Sequence, residues 1–180
     1  MMKKTIAAAL MLAAGSMSTT AYAEEAPRVT PTPPSIAPDQ AALLQSDDPQ
    51  LAAHKKLVYD MYRIVLQGGY ADRAKEFIRE DYIQHNPNVS SGRAALEAYV
   101  RSTRPERPLK DTLELPVVSM LAEGDMVTIA FVRPEKDASG ETYYSTWFDM
   151  FRIQDGKIAE HWDPMLKTDP PIDPNDKKVK

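Results

Sequence analysis

The segment from Tyr143 to Asp163 most constrains what this chain can fold into. It reads as two long strands joined at Asp155-Gly156, a pair that favours the backbone conformations of tight hairpin turns. Asp149, His161 and Asp163 stand inside these strands among Trp147, Phe148, Phe151 and Trp162. Carboxylates are costly to bury without partners, so their placement among aromatic rings demands an explanation. A pocket that uses them is one.

The turn decides which side chains share a face, because strand side chains alternate with period two. If Asp155 and Gly156 alone form the loop, Phe148 lies opposite Asp163 and Asp149 points the other way. If Gln154, Asp155 and Gly156 form a three-residue loop, Ile153 pairs with Lys157, Asp149 with His161, and Trp147 with Asp163. The three-residue loop is the expected register. It places Tyr143, Trp147, Asp149, Phe151, His161 and Asp163 on one face, and Phe148, Met150, Arg152, Ile158, Glu160 and Trp162 on the other.

The chemistry such a cluster offers is proton transfer. One group takes a proton next to a carbonyl, and another donates to the oxyanion that forms. A structural alternative stands beside it: His161 bonded to Asp149, and Asp163 bonded to backbone at a strand end.

Upstream, Asp48-Pro49 is a helix start, a capping side chain followed by proline at the first helical position. Leu51, Val58, Met61, Tyr62 and Val65 recur at helical spacing until Gly68-Gly69. A short helix is expected near Ala71 to Phe77, an extended piece from Tyr82 to Asn86, and a third helix after Ser91-Gly92. Strands are expected over 113–121, where Pro116 argues for an edge, and over 126–132. The two strands of the hairpin follow. Helices first and then an antiparallel meander predict an α+β fold.

The ends read differently. Met1 to Lys4 is a short basic start, Thr5 to Ala14 an apolar run, and Ala21-Tyr22-Ala23 a small-residue cleavage site. Residues 1–23 are therefore expected to be a signal peptide cut after Ala23, giving a periplasmic or secreted protein without a stable membrane anchor. Residues 24–45 hold five prolines and read as a linker outside the core. The domain is expected over 46–167, and 168–180 as a flexible tail.

The chain has no cysteine, which excludes disulfides and thiolate metal sites. Its formal net charge is −4, and removing Lys3 and Lys4 with the leader takes it to −6. Such a chain, without a basic stripe, is not a nucleic-acid binder. The three histidines, His54, His85 and His161, show no metal-ligand spacing, so no metal is expected.

The run Phe148-Asp-Met-Phe-Arg152-Ile-Gln-Asp155-Gly156-Lys-Ile158-Ala-Glu160-His161-Trp162-Asp163, with Tyr82-Ile-Gln-His85-Asn86-Pro87 upstream, resembles the SnoaL-like branch of the nuclear transport factor 2-like (NTF2-like) superfamily. The resemblance implies a cone-shaped, curved antiparallel sheet with three N-terminal helices enclosing a small-molecule cavity. Polyketide cyclases of this family carry out an intramolecular aldol condensation without metal or cofactor. Their essential aspartate matches Asp163, and Asp149 stands where they have an assisting histidine. An ionised carboxylate cannot donate a proton, so His161 or His85 would take that role.

The resulting expectation is a cofactor-free enzyme acting on a small apolar carbonyl compound. Asp163, Asp149, His161 and His85 are its catalytic candidates, and Trp147, Phe151, Tyr82, Asn86 and Tyr143 would bind substrate. The alternatives are a non-catalytic small-molecule-binding module and an interaction domain. The apolar outer face also predicts a homodimer, sheet against sheet, centred on Phe148 and Trp162.

Overall fold

The computed structural model describes residues 35–167. The expected signal peptide, the first part of the linker and the C-terminal tail lie outside them.

Helix α1 (Pro49–Met61) begins where the sequence places it. The Asp48 carboxylate accepts from the Gln50 and Leu51 backbone N–H groups, and Pro49 follows at the first helical position. The helix continues as a π-helical segment over Tyr62–Gln67. Gly69 then turns the chain with φ +78°, and a Cβ there would meet the Pro105 carbonyl oxygen at 2.6 Å. Helix α2 is a single turn (Ala74–Phe77), and α3 spans Arg93–Thr103.

The sheet has five strands: β1 (Ile78–Gln84), β2 (Val117–Glu123), β3 (Met126–Lys136), β4 (Thr142–Gln154) and β5 (Lys157–Trp162), in the order β1-β5-β4-β3-β2. Strands β2 to β5 form an antiparallel meander. β1 pairs with β5 in parallel, so the curved sheet is mixed rather than wholly antiparallel. β1 also separates α2 from α3, so the helices do not all precede the sheet.

β3 runs on through Pro134, past the expected end at residue 132. The Val132 N–H points toward β2, where it donates to the Pro116 carbonyl, and the nitrogen of residue 134 points the same way. β2 has ended there, so proline leaves no ladder bond unmade. Val58, Val65, Val127, Ile129, Phe131 and Ile158 are fully excluded from solvent, in a core between the helices and one face of the sheet.

The described part of the expected linker packs on this domain. The Ala37 N–H donates to the Val117 carbonyl, and Ala42–Leu44 form a 3-10 turn that places Leu43 and Leu44 against the core. Gln40 Oε1 accepts from the Tyr59 hydroxyl (2.6 Å) and the Leu113 N–H (3.0 Å), while its Nε2 donates to the Leu113 carbonyl (2.9 Å). A linker outside the core up to residue 45 is thus corrected. Gln40 joins the fold through the Leu113 backbone, and Leu43 and Leu44 join it by packing on the core.

Candidate active site

The register of the β4–β5 hairpin builds the site, and neither expected register is the one adopted. Asp155 and Gly156 form a two-residue turn, with φ +51° and +70°, and Gln154 pairs with Lys157. Ile153 then faces Ile158, but Arg152 faces Glu160, so Ala159 is an extra residue. The bulge restores the parity that a two-residue turn would reverse. Phe151 therefore lies opposite His161, not Asp149 as the three-residue loop required. Trp147, Asp149, Phe151 and His161 share the inner face. Ile158, expected outside, is inside and fully buried, because it precedes the bulge.

A cavity of about 110 Å³ lies under this face, with Tyr62, Tyr82, Trp147, Asp149, His161 and Asp163 among its lining residues. Asn86, Gln84, Arg104 and Phe151 also reach it. Most of the remaining wall is aliphatic or methionine side chain, including Met61, Leu66, Ile78 and Met165.

Asp149 is 5% exposed and is surrounded by donors. The Tyr62 hydroxyl donates to Oδ2, and Trp147 Nε1 donates to Oδ1 at 2.9 Å. His161 Nε2 lies 3.1 Å from the same Oδ1, but out of line for a hydrogen bond. The His161 ring stacks on Phe151 with centroids 4.6 Å apart, and its Nδ1 lies 3.0 Å from Gln84 Oε1. Asp163 accepts from Asn86 Nδ2 (2.8 Å) and from the Met165 N–H (3.1 Å).

Burial, and then the Asp149 charge, push the Tyr62 hydroxyl well above its ordinary pKa. Burial does the same to Tyr82, with Asp149 and Asp163 adding to it. Both phenols are therefore neutral donors throughout the physiological range.

Asp149, His161 and Asp163 offer one ligand atom each within 4.8 Å of one another. Each of the four carboxylate oxygens already accepts a hydrogen bond, so a cation there would compete with four protein donors.

Two expected site residues lie elsewhere. His85 is on the outer face, where its Nε2 meets Glu160 Oε2 at 2.9 Å and its ring stacks on Trp162. Strand alternation explains this: Tyr82, Gln84 and Asn86 turn inward, so Ile83 and His85 turn outward. Tyr143 is 45% exposed near the far end of β4, opposite Glu135. Conversely, Tyr62, Gln84 and Arg104 line the cavity although the sequence analysis assigned them no role. For Gln84 a signal existed, since it shares the parity of Tyr82 and Asn86.

A model of the SnoaL-like domain matches residues 58–161. Similar solved structures include TsrD from Streptomyces laurentii, 22% identical, covering 66% of this chain and 90% of that one with a TM-score of 0.45. An M. tuberculosis LEH-like epoxide hydrolase is 16% identical, covering 64% of this chain and 84% of its own, with a TM-score of 0.47. A Xanthomonas campestris protein of unknown function with a cystatin-like fold is 22% identical over 61% of this chain and 88% of that one, at a TM-score of 0.44. No curated protein matches the chain.

Proposed function

This chain belongs to the SnoaL-like domain family of the NTF2-like superfamily, and from that premise we propose that it is a cofactor-free enzyme that removes a proton next to a carbonyl. Asp163 is the base. Its carboxylate is oriented by the Asn86 side chain and the Met165 N–H, and it lines a cavity walled mainly by apolar side chains. His161 is the donor that stabilises the enolate oxygen. Asp149 is not the donor, because its oxygens already accept from Tyr62 and Trp147. It holds His161 in place instead.

The observation that carries this reading is the asymmetry of the two carboxylates. Both line the cavity, but Asp149 is buried and held by two side-chain donors, whereas Asp163 is only half-buried. Two acidic groups in different surroundings can hold different roles. The cavity sets the substrate's size. An apolar cavity of about 150 Å³ admits benzene, so 110 Å³ suits a small ketone or one ring of a larger molecule. Incubation with small cyclic and aryl ketones in deuterated water tests the proposal. Protein-dependent deuterium uptake at the α-carbon supports it. Binding without uptake identifies a binding module instead.

We also propose export and dimerisation. The basic start, apolar run and small-residue site support a cleaved leader and a periplasmic or secreted protein. On the outer face, Phe148 is 53% exposed and Met150 36%, with Trp162 beside them. A second copy of the sheet would cover them.

A further inference from the structure

We propose that Gln84 is a positioning residue that fixes a proton on His161 Nδ1 and so makes His161 an imidazolium paired with Asp149. The hydrogen-bond network assigns the protons. Gln84 Oε1 lies 3.1 Å from the Asn86 backbone nitrogen, which can only donate. Turning the amide over would set its NH2 group against that N–H, so the atom facing Asn86 is the oxygen. The same oxygen lies 3.0 Å from His161 Nδ1. An amide oxygen only accepts, so Nδ1 carries a hydrogen.

The other ring nitrogen then decides the charge. With Nδ1 protonated, a neutral ring would present a lone pair at Nε2. That nitrogen is buried, lies 3.1 Å from Asp149 Oδ1, and has no aligned hydrogen-bond partner. A lone pair facing a carboxylate oxygen at this distance in a buried site is repulsive, whereas an imidazolium there makes an ion pair even without an aligned hydrogen bond. Both Asp149 oxygens already accept from protein donors, Tyr62 and Trp147, which leaves neither placed to donate to Nε2. The proton therefore belongs to Nε2. The charged and titratable groups facing the ring are Asp149 from β4, Tyr62 from the π-helical segment, Tyr82 from β1 and Asp163 beyond β5, with Arg104 in the cavity wall beyond α3.

The misalignment of Nε2 with Asp149 has a use. A proton held out of line is available to a ligand oxygen in the cavity, so His161 offers a donor without first having to take one up. The catalytic consequence rests on the acid–base reading above. The protonation state does not, because it can be read without substrate or turnover.

The test is a long-range proton–nitrogen correlation spectrum of the nitrogen-15-labelled full chain at neutral pH. The variants His54→Gln and His85→Gln each remove one histidine's signals and leave those of His161 identified. Both His161 nitrogens are expected at the positions of protonated nitrogens. Gln84→Leu is expected to lose the protonated Nδ1 signature, and Gln84→Glu to retain it. A wild-type ring with either nitrogen unprotonated overturns the proposal. So does a folded Gln84→Leu variant whose His161 signals are unchanged. If Gln84→Leu does not fold, the wild-type spectrum decides alone.

Discussion

The Tyr62 hydroxyl donates to the Asp149 carboxylate across 87 residues of chain, joining the π-helical segment to the middle of β4. It does so inside the core, with Tyr62 edge-on to both Phe131 and Phe151. The bond locks the helical layer to the sheet at the point where the site is built. π-Helical segments commonly occur at functional sites, and here one carries a donor for the buried acid.

Replacing Tyr62 by Phe keeps the ring and removes the donor. The loss is expected to cost about 1–3 kcal/mol, because a buried carboxylate is left with one partner fewer. Denaturant unfolding checks it. Asp149→Leu is predicted to be worse, by roughly 3–5 kcal/mol, since it strands a charged imidazole and two buried donors.

Stability should fall at high pH. The folded pKa values of Tyr62 and Tyr82 are raised above the unfolded value of 10.0. Below that value both states are neutral and the contribution is fully present. Above it the unfolded chain releases protons that the folded chain retains, so stability declines as pH rises toward the folded values. Two tyrosines are expected to show phenolate absorbance only upon unfolding. Ordinary titration of every tyrosine in the folded protein contradicts this.

At the outer face, Glu160 is held below the ordinary carboxylate range, first by its hydrogen bond to His85 and then by Arg152. Its contribution is present above the unfolded pKa of about 4.5 and is lost as pH falls through the lower folded value. A carbon-13 titration of Glu160 should show the depressed value in wild type. His85→Leu should move it back up.

Truncation separates the two halves of the expected linker. Deleting residues 24–34 should leave the melting temperature of the domain unchanged. Deleting 35–45 removes Gln40, Leu43 and Leu44 from their contacts and should lower it by several degrees or more. Gln40→Ala alone is expected to cost about 1–3 kcal/mol, by taking the donor from the Leu113 carbonyl and the acceptor from the Tyr59 hydroxyl, while the Leu113 N–H keeps its bond to that hydroxyl.

Trp162→Ala tests the proposed dimer. Sedimentation at micromolar concentration should give a dimer for the wild type and a monomer for the variant. A monomeric wild type contradicts the proposal.

Much of this architecture is legible in the residues, and its gaps have physical causes. The Asp48-Pro49 cap and the Asp155-Gly156 turn are local signals and lie where they predict. The bulge at Ala159 is not legible, because it arises from how β4 and β5 settle against the core. It shifts the register by one while keeping Asp149 and His161 on one face. Tyr62 falls on an apolar helical stripe, where nothing distinguishes a core tyrosine from a donor. His85 is a different case. Alternation along Tyr82, Gln84 and Asn86 already turns it outward, and an attractive residue type outweighed a simple parity rule.

The most direct measurement is the rate of α-carbon deuterium exchange on a small ketone by wild-type protein and by Asp163→Asn. The substitution preserves shape and removes the base; its single amide oxygen keeps one of the bonds from Asn86 and Met165 and loses the other. Exchange is predicted for the wild type, with a loss of roughly 10²–10⁴-fold in the variant, which stays folded with a stability loss of about 1–3 kcal/mol. Exchange that survives Asp163→Asn at the wild-type rate would contradict the assignment of Asp163 as the base.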